Sequence, residues 1–324
     1  MYDVIALGEL LIDFTPQSVE GGKDAYFQKN PGGAPANVLS ALSKQGKKTA
    51  FIGKVGNDSF GTYLADVLES NGISTKGLVF SDRENTTLAF VELNDKGDRD
   101  FTFYRKPGAD MMLNKDEIDY DFIASAKVFH YGSISMTHEP SRQATLKALA
   151  HAKQNGVLIS FDPNLRLPLW PDRETAKEQI LSVIHYADIM KISEEELTFL
   201  TGTEDLEDGA RRIYEQYRTP LICITLGDKG CFYRAGAITG FVDAFEVQTI
   251  DTTGAGDAFL GGVLSGVLDE ETQLHKLSEA QLTAIITYGN AMGSLATTKR
   301  GGIPSMPDRG DVSKLIERGV MPQT

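Results

Sequence analysis

Apolar and polar positions along the chain follow two alternating periods. Short runs rich in β-branched residues are separated by longer stretches whose apolar positions recur every three or four residues. The short runs predict strands at 2–8, 49–56, 126–133, 156–162, 187–193 and 220–227. The longer stretches predict helices at 37–46, 58–71, 140–155, 173–186, 205–217, 254–268 and 278–298. This alternation is typical of an α/β fold, a doubly wound and mostly parallel sheet with helices on both faces.

Two segments interrupt this alternation. Residues 86–105 contain two alternating runs joined by a polar turn with a glycine, which is the pattern of a β-hairpin. Residues 13–30 have the pattern of irregular extended chain between the first strand and the first helix. We expect both segments to form a small β-sheet that stands off the edge of the main sheet as a lid. With no Pro/Gly-rich linker and no internal repeat, residues 1–324 are predicted to form a single domain.

Composition and charge exclude several classes of partner. The net charge of −13 argues against nucleic acid, because phosphate backbones require dense Lys/Arg surfaces. No apolar run approaches the length of a membrane span, and the first residues contain acids where a signal peptide has basic residues. The two cysteines, Cys223 and Cys231, are too few for a disulfide framework. We therefore expect a cytoplasmic protein whose partners are small molecules.

Small residues precede an acid in DTTGAGDAFL, residues 251–260, where a strand is expected to lead into a helix. If the helix begins near Gly254, the amides of Ala255, Gly256 and Asp257 point out of its N-terminus, where the helix dipole favours an anion. An acid in the first turn is also ordinary capping. One Ser or Asp suffices for a cap, however, so the small residues favour a bound oxyanion or phosphoryl group.

A second glycine-rich stretch, NPGGAPANV at residues 30–38, predicts a tight turn before a helix that starts near Asn37. Asn37 either caps this helix or, with Gly33, contacts a hydroxylated ligand under the lid. Neither glycine-rich stretch is a Walker A motif, and no strand leads into a full G-x-G-x-x-G. The sequence therefore does not indicate a dinucleotide-binding fold.

The two glycine-rich stretches together resemble the ribokinase-like (PfkB) carbohydrate kinases. GGAPAN at 32–37 is similar to the first family signature and DTTGAGDAF at 251–259 to the second. The resemblance also includes GKVGNDSFG at 53–61 and KRGGIPSMP at 299–307, so it extends over nearly the whole chain. Segments such as GELLIDF, FDPNLRLPLW and KISEEELTFLTG are most similar to the fructokinases. This implies ATP-dependent phosphorylation of a sugar's primary hydroxyl, fructose 6-phosphate as product, and Mg2+.

The resemblance also implies roles for residues around the acceptor sugar. Asp257 would be the general base, and residues 254–257 would form an anion hole for the transferring phosphoryl group. Asp13 would accept hydrogen bonds from adjacent sugar hydroxyls, with Gly33 and Asn37 beside it.

In the predicted hairpin, Phe101, Phe103 and Arg105 alternate onto one face. These side chains either close over the sugar or pack against the body or another subunit. An exposed apolar face on this sheet would favour a homodimer through the lid.

Arg166, in FDPNLR, presents a planar fork that suits a phosphate or an anionic substrate, or it forms a salt bridge to Asp162. Ribokinases carry a lysine in the first signature where this chain has Ala34, which weakens a ribokinase assignment. We hypothesise that Arg166 supplies the missing positive charge.

The resemblance assigns further residues to the nucleotide and to cations. The nucleotide positions are Lys191, Ser193, Thr225, Gly227, Gly230 and Asn290, although Asn290 has a helix-surface amide as its alternative. Glu196 either orders Mg2+ through water or belongs to an acidic first helical turn. A monovalent cation, K+, is implied at Asp251, Thr253, Gly301 and Ser305.

Two other functions remain open at this point. One is another sugar or riboside kinase of the same family, acting on 2-keto-3-deoxygluconate or an aminoimidazole riboside. The other is a catalytically silent binding protein, which the presence of Asp257, the glycines beside it and Asp13 disfavours.

Overall fold

The computed structural model of the chain describes residues 1–17, 26–93 and 99–320. The strands are β1 (Tyr2–Leu7), β2 (Leu11–Gln17), β3 (Tyr26–Gly32), β4 (Thr49–Gly56), β5 (Ile73–Ser81), β6 (Leu88–Leu93), β7 (Arg99–Tyr104), β8 (Ala126–Gly132), β9 (Leu158–Asp162), β10 (Ile189–Ser193), β11 (Leu221–Thr225), β12 (Gly230–Ala235) and β13 (Ile238–Asp243). The helices are α1 (Ala34–Lys44), α2 (Ser59–Ser70), α3 (Tyr120–Ala124), α4 (Ser141–Gln154), α5 (Arg173–Val183), α6 (Glu194–Thr201), α7 (Leu206–Tyr217), α8 (Ala255–Asp269), α9 (Glu279–Ala296) and α10 (Arg309–Val320).

The main sheet has nine strands in the order β13-β12-β11-β10-β9-β8-β1-β4-β5. The strands from β11 through to β5 are parallel, and β12 and β13 continue the sheet antiparallel. All six predicted strands lie in this sheet, and the α/β prediction is confirmed. Strands β5, β12 and β13 were not predicted.

Apolar side chains cover both faces of this sheet. Within β1, Ile5 and Leu7 belong to one buried cluster and Val4 and Ala6 to the other, so successive residues supply opposite faces. Burial of a large aliphatic side chain stabilises the fold by roughly 1.5–3 kcal/mol, and both faces contain many such side chains. The sheet is therefore the rigid centre of the molecule.

A separate sheet of four strands has the order β3-β2-β6-β7. The small β-sheet predicted from the sequence is therefore present. Within the segment 13–30, the described residues belong to β2 and β3, which pair antiparallel from Leu11↔Gly32 to Gln17↔Tyr26 and are more regular than their sequence pattern suggested. Residues 18–25 lie outside the described residues. The turn predicted between the two runs of 86–105 falls on residues 94–98, which lie outside the described residues. We call these four strands the small sheet.

Because β1, β9, β10 and β11 are parallel, their carboxyl ends lie at the same end of the main sheet. In open α/β sheets, ligands bind at the carboxyl ends of the strands, because loops and helix N-termini meet there. Across the described ranges, no helix combines the length and apolar character that crossing a membrane requires.

Candidate active site

Helix α8 begins at a residue whose backbone conformation favours glycine. Gly254 is its N-cap with φ of +78°, in the left-handed region, and no side chain caps the helix. A Cβ on Gly256 would lie 2.9 Å from Lys191 Nζ. The N-terminus of α8 therefore has no side chain covering its amides, and the backbone at Gly256 packs closely against Lys191.

One of the three backbone amides expected to point out of this N-terminus already donates a hydrogen bond within the protein. The N–H of Ala255 donates to the carbonyl of Thr252 at 3.2 Å, which corrects the expectation that it points out freely. The helical ladder begins with Ala258 N–H donating to Gly254 O at 2.8 Å, so the amides of Gly256 and Asp257 precede its first bond. The N-terminus of α8 thus offers an anion two amides rather than three.

The Asp257 carboxylate is held by an amide on each oxygen. Oδ2 accepts from Asn37 Nδ2 at 2.8 Å, and Oδ1 accepts from Asn164 Nδ2 at 3.4 Å. Asn37 is not a cap: helix α1 begins at Ala34, and the Asn37 backbone N–H donates to Gly33 O. The side chain of Asn37 therefore joins the second glycine-rich stretch to Asp257 in the first.

Burial raises the pKa of Asp257 from 3.8 to about 6, and the nearby Asp162 carboxylate adds to the increase. The hydrogen bond from Asn37 and the charges of Lys191 and Arg166 act in the opposite direction. Asp257 is consequently ionised at neutral pH yet more basic than an exposed aspartate. That combination suits a general base.

Lys191 and Asp162 form a buried ion pair between neighbouring strands. Lys191 Nζ lies 3.0 Å from Asp162 Oδ2, and both side chains are almost fully buried. Burial opposes the lysine's charge, but the carboxylates of Asp162, Glu196 and Asp257 outweigh it and raise the Lys191 pKa above its ordinary value. A permanent positive charge therefore lies beneath the N-terminus of α8.

Arg166 does not form the salt bridge to Asp162 that the sequence allowed as an alternative. Its Nη1 donates to Leu165 O at 3.2 Å, its side chain is exposed, and it borders the same cavity as Asp257. The guanidinium is therefore available to an anionic ligand.

A cavity of about 550 Å³ lies above these groups, within the range of small-molecule sites. The predicted site residues that line it are Asp13, Gly33, Asn37, Phe103, Arg166, Lys191, Asp251, Thr253, Gly254, Gly256, Asp257 and Gly301. The structure thus brings the two glycine-rich stretches, the small sheet and the end of β9 around one space.

Other lining residues were not selected as site residues from the sequence. They include Glu9, Thr15, Gln28, Asn30, Asn164 and Arg300. Glu9 is buried, its Oε1 accepts from Ala34 N at 2.9 Å, and burial raises its pKa to about 7. An acid directly after a buried strand, in GELLIDF, was the available signal for Glu9.

Arg105 corrects the predicted face of the hairpin. Strand β7 ends at Tyr104, and the buried Arg105 guanidinium pairs with Asp110 at 2.8 Å and donates to Thr137 Oγ1 at 3.0 Å. It is not among the residues that line the cavity, because Asp110 holds it in the body. Phe103 does line the cavity, and the side chain of Phe101 lies outside what the structure describes.

Of the predicted nucleotide residues, Lys191 lines this cavity, and Ser193, Thr225, Gly227, Gly230 and Asn290 are not among the lining residues. Thr225 is the last residue of β11, and Gly227 and Gly230 follow it. The Thr225 hydroxyl donates to Ile192 O at 3.4 Å. Gly227 and Gly230 have φ of +59° and +125°. Asn290 is buried and its Nδ2 donates to Val242 O and Asp243 O, so the helix-surface alternative is wrong. Its amide joins α9 to the end of β13.

Glu196 and Ser193 form a capping box at the start of α6. Glu196 Oε2 accepts from Ser193 N at 2.8 Å, and Oε1 accepts from Leu165 N at 2.7 Å. Burial raises the pKa of Glu196, and the Asp162 charge adds to it. Since both oxygens already accept an amide, a cation would reach Glu196 through water rather than displace these bonds. Mg2+ retains several waters, so the donor set fits it.

The carboxylate of Asp251 ties two loops together. Its Oδ1 accepts from the backbone and hydroxyl of Thr253, and its Oδ2 accepts from Gly301 N at 3.0 Å. Ser305 is buried and donates to Gly302 O at 2.8 Å. Carboxylate, hydroxyl and carbonyl oxygens are ligands for hard cations rather than for soft, thiolate-binding metals. Among the described residues, no cluster of three or more His, Cys, Asp or Glu could hold a metal ion.

Known proteins match this chain over almost its full length. The model of the pfkB family of carbohydrate kinases matches residues 1–309. A probable fructokinase-4 of Arabidopsis thaliana is 47% identical over 316 residues, 97% of this chain and 96% of the relative. A fructokinase of Vibrio cholerae O395, in a form with fructose, ADP and calcium ion bound, superposes with a TM-score of 0.88 at 33% identity, covering 97% and 99% of the two chains. A fructokinase of Xylella fastidiosa with bound ATP gives a TM-score of 0.89 at 30% identity, covering 99% and 100%.

The chain therefore belongs to the pfkB family of carbohydrate kinases. It is an enzyme, a phosphotransferase of the fructokinase-like type, with the ribokinase-like fold. The family resemblance stated from the two signatures is confirmed.

Proposed function

We propose that this protein, as a single kinase domain over residues 1–324, transfers the terminal phosphoryl group of ATP to the 6-hydroxyl of D-fructose and forms fructose 6-phosphate. The observation that carries the proposal is the position of Asp257. Asp257 lies at the wall of a cavity whose size suits a small ligand, beside the open N-terminus of α8. The pKa of its carboxyl group is raised to about 6. The relatives with fructose, ADP or ATP bound support the choice of substrates.

Asp257 acts as the general base in this proposal. Its carboxylate accepts the proton from the sugar hydroxyl as the hydroxyl oxygen forms a bond to the terminal phosphorus. The bond from that phosphorus to the bridging oxygen of ATP breaks, and ADP leaves with the electron pair. A pKa of about 6 keeps the base ionised near neutral pH while strengthening its proton affinity.

Fixed amide donors and positively charged side chains stabilise the negative charge on the transferring phosphoryl group. The amides of Gly256 and Asp257 lie at the positive end of the α8 dipole, with Lys191 below them and Arg166 at the cavity wall. Phosphoryl transfer depends mainly on in-line placement and charge stabilisation. Donors that are already oriented need no reorganisation during the reaction.

The sugar is proposed to bind next to Asp257, against Asp13, Gly33 and Asn37. Asn37 and Gly33 line the cavity beside Asp13, and Asn37 Nδ2 contacts the Asp257 carboxylate, so a sugar held there lies close to the proposed base. Phe103 approaches from the small sheet and would exclude water from the transferred group. Each of these contacts favours a polyhydroxylated acceptor over water.

The nucleotide is proposed to extend from the anion hole toward Ser193, Thr225, Gly227, Gly230 and Asn290. Glu196 would hold Mg2+ through water, where the ion neutralises phosphate charge when bound. Asp251, Thr253, Gly301 and Ser305 are the proposed K+ position, which would stiffen the loop that leads into α8.

We also propose a cytoplasmic protein that dimerises through the small sheet. Tyr26, Phe27 and Tyr104 are exposed large side chains on this sheet, and exposed aromatic groups favour burial against a partner. Replacing Phe27 and Tyr104 by serine should convert the dimer to a monomer in analytical ultracentrifugation. A wild-type protein that sediments as a monomer would contradict the dimer.

The test of function is a coupled ADP-release assay with ATP and a panel of acceptors. D-fructose should saturate the enzyme, and the product should carry phosphate on C6 by 31P and 13C NMR. 2-Keto-3-deoxygluconate and aminoimidazole riboside are the competing acceptors. Saturation by either of these without turnover of fructose would overturn the assignment.

A further inference from the structure

Asn164 has a backbone conformation that residues other than glycine rarely adopt. Its φ is +45°, in the left-handed region, where Asn is among the few residues tolerated. Its N–H donates to Asp162 Oδ1 at 3.0 Å, so the Asp162 side chain closes a turn around it. Backbone strain of this kind persists where the surrounding structure holds it, and it concentrates at functional sites.

The turn directs the Asn164 side chain to the reacting carboxylate. Asn164 Nδ2 donates to Asp257 Oδ1 at 3.4 Å. Asp162, which holds the turn, is itself fixed through Oδ2 by the buried Lys191 at 3.0 Å. A continuous chain of contacts therefore runs from the ion pair between β9 and β10, through Asn164, to Asp257.

We propose that Asn164 is a positioning residue for Asp257, holding Oδ1 in place while Asn37 holds Oδ2. This inference rests on the proposed role of Asp257 as general base. The distance of 3.4 Å is longer than the usual range for an N–H···O hydrogen bond. Hydrogen bonds at catalytic groups are commonly long before substrate binds and shorten in the complex. The strained turn limits how far Asn164 can move, so it orients the carboxylate toward the acceptor.

The charged groups around Asp257 define what Asn164 contributes. Asp162 and Arg166 face it from the end of β9, and Lys191 faces it from β10. Burial and Asp162 disfavour the carboxylate form, whereas Lys191, Arg166 and the hydrogen bond from Asn37 favour it. Loss of the Asn164 amide therefore removes both an orienting contact and one donor to the charged form.

Two substitutions separate these effects. Asn164→Gly removes the amide and accepts the positive φ without strain. We expect kcat to fall by about 10- to 100-fold, with the KM values for ATP and fructose changed by less than about threefold. Asn164→Asp keeps the shape of the side chain and tolerates the same φ, but it places a negative charge next to the Asp257 carboxylate. We expect it to raise the pKa in the kcat–pH profile by about 1 unit or more.

Asn155→Asp is the matched control, because Asn155 is exposed at the end of α4 and its amide donates only to His151 O. It should leave kcat and the pH profile unchanged. Wild-type kcat in Asn164→Gly, or a loss confined to KM, would overturn the positioning role.

Carboxyl 13C NMR, assigned with Asp257→Asn, gives a readout that does not depend on fructose turnover. Asn164→Asp should shift the titration of Asp257 upward in the resting protein, and an unshifted titration would overturn the contact. A shifted titration in a protein that phosphorylates no sugar would instead count against the proposed function alone.

Discussion

The amide of Asn37 donates to the carboxylate of Asp257 at 2.8 Å across 220 positions of sequence. Gly302 packs directly against this amide, since a Cβ at Gly302 would lie 2.4 Å from Asn37 Oδ1. Three segments, from the start of α1, the start of α8 and the loop after α9, therefore fix one carboxylate. The Asp257 carboxylate is therefore held by residues far away in the sequence and not by its own helix alone.

Replacing Asp257 by Asn should reduce kcat by about 10²–10⁴-fold, because the isosteric amide cannot accept the proton. ATP binding, measured by isothermal titration calorimetry, should stay within about threefold of wild type. In the wild type, log kcat should decline as the pH falls below about 6, where Asp257 becomes protonated. A variant with retained turnover, or a wild-type profile that stays flat down to pH 5, would contradict the assignment of the base.

The same substitution should stabilise the fold. Folding raises the pKa of Asp257 from 3.8 to about 6, so the native state disfavours the carboxylate. This destabilisation is complete above pH 6 and disappears below about pH 4. At pH 8 it amounts to about 3 kcal/mol, taking 1.36 kcal/mol for each pKa unit.

Urea unfolding of Asp257→Asn at pH 8 and pH 5 measures this effect. The gain over wild type should be larger at pH 8. Asp172→Asn is the control, because hydrogen bonds to Thr175 lower the pKa of this exposed helix cap. That control should show no gain, and a destabilised Asp257→Asn at pH 8 would contradict the expectation.

Replacing Lys191 by Met should destabilise the protein by about 3–5 kcal/mol, because it leaves the buried Asp162 carboxylate unpaired. Lys153→Met is the matched control, since its pair with Asp188 is half exposed and should change the free energy of unfolding by about 0–1 kcal/mol. Chemical denaturation compares the two. Adding Asp162→Asn to Lys191→Met should recover part of the loss, and equal effects of the two lysine variants would contradict the prediction.

Replacing Gly254 by Ala should impair both stability and turnover. Its φ of +78° costs an L-residue about 1–2 kcal/mol, and the new Cβ would lie 3.1 Å from the Cα of Gly302. Gly46→Ala is the control, with φ of +80° and no atom within 4 Å. Both variants should lose similar stability by thermal unfolding, but only Gly254→Ala should lower kcat, because the amides of Gly256 and Asp257 shift. Equal kcat in the two variants would argue against the anion hole.

Much of the main sheet was predictable because its strands are buried on both faces and appear as continuous apolar runs. Strand β5 was missed because it contains polar residues and a glycine and is largely half-buried at the sheet edge. Strands β12 and β13 form an antiparallel extension with mixed burial. Strands β5 and β13 are the two edge strands, which pair with one neighbour only, so their sequences have weaker patterns.

The candidate site residues divide in the same way. Gly254, Gly256, Asp257 and Asn37 were selected from two short glycine-rich motifs, because a close backbone approach or an open helix N-terminus restricts the local residue types, whereas Asp13 was selected from the family resemblance. Arg105 was misassigned because alternation along a strand does not reveal where the strand ends.

The sequence alone determined the alternation of strands and helices, the open N-terminus of α8 and the family to which the chain belongs, since each depends on residues close together in the chain. Only the tertiary structure decided that Lys191 pairs with Asp162, that Asn164 and Asn37 share the oxygens of Asp257, and that Glu9 is buried beside the cavity. These contacts join residues that only the order of strands in the sheet brings together. Their pKa values and hydrogen bonds follow from burial and proximity, which no local pattern contains.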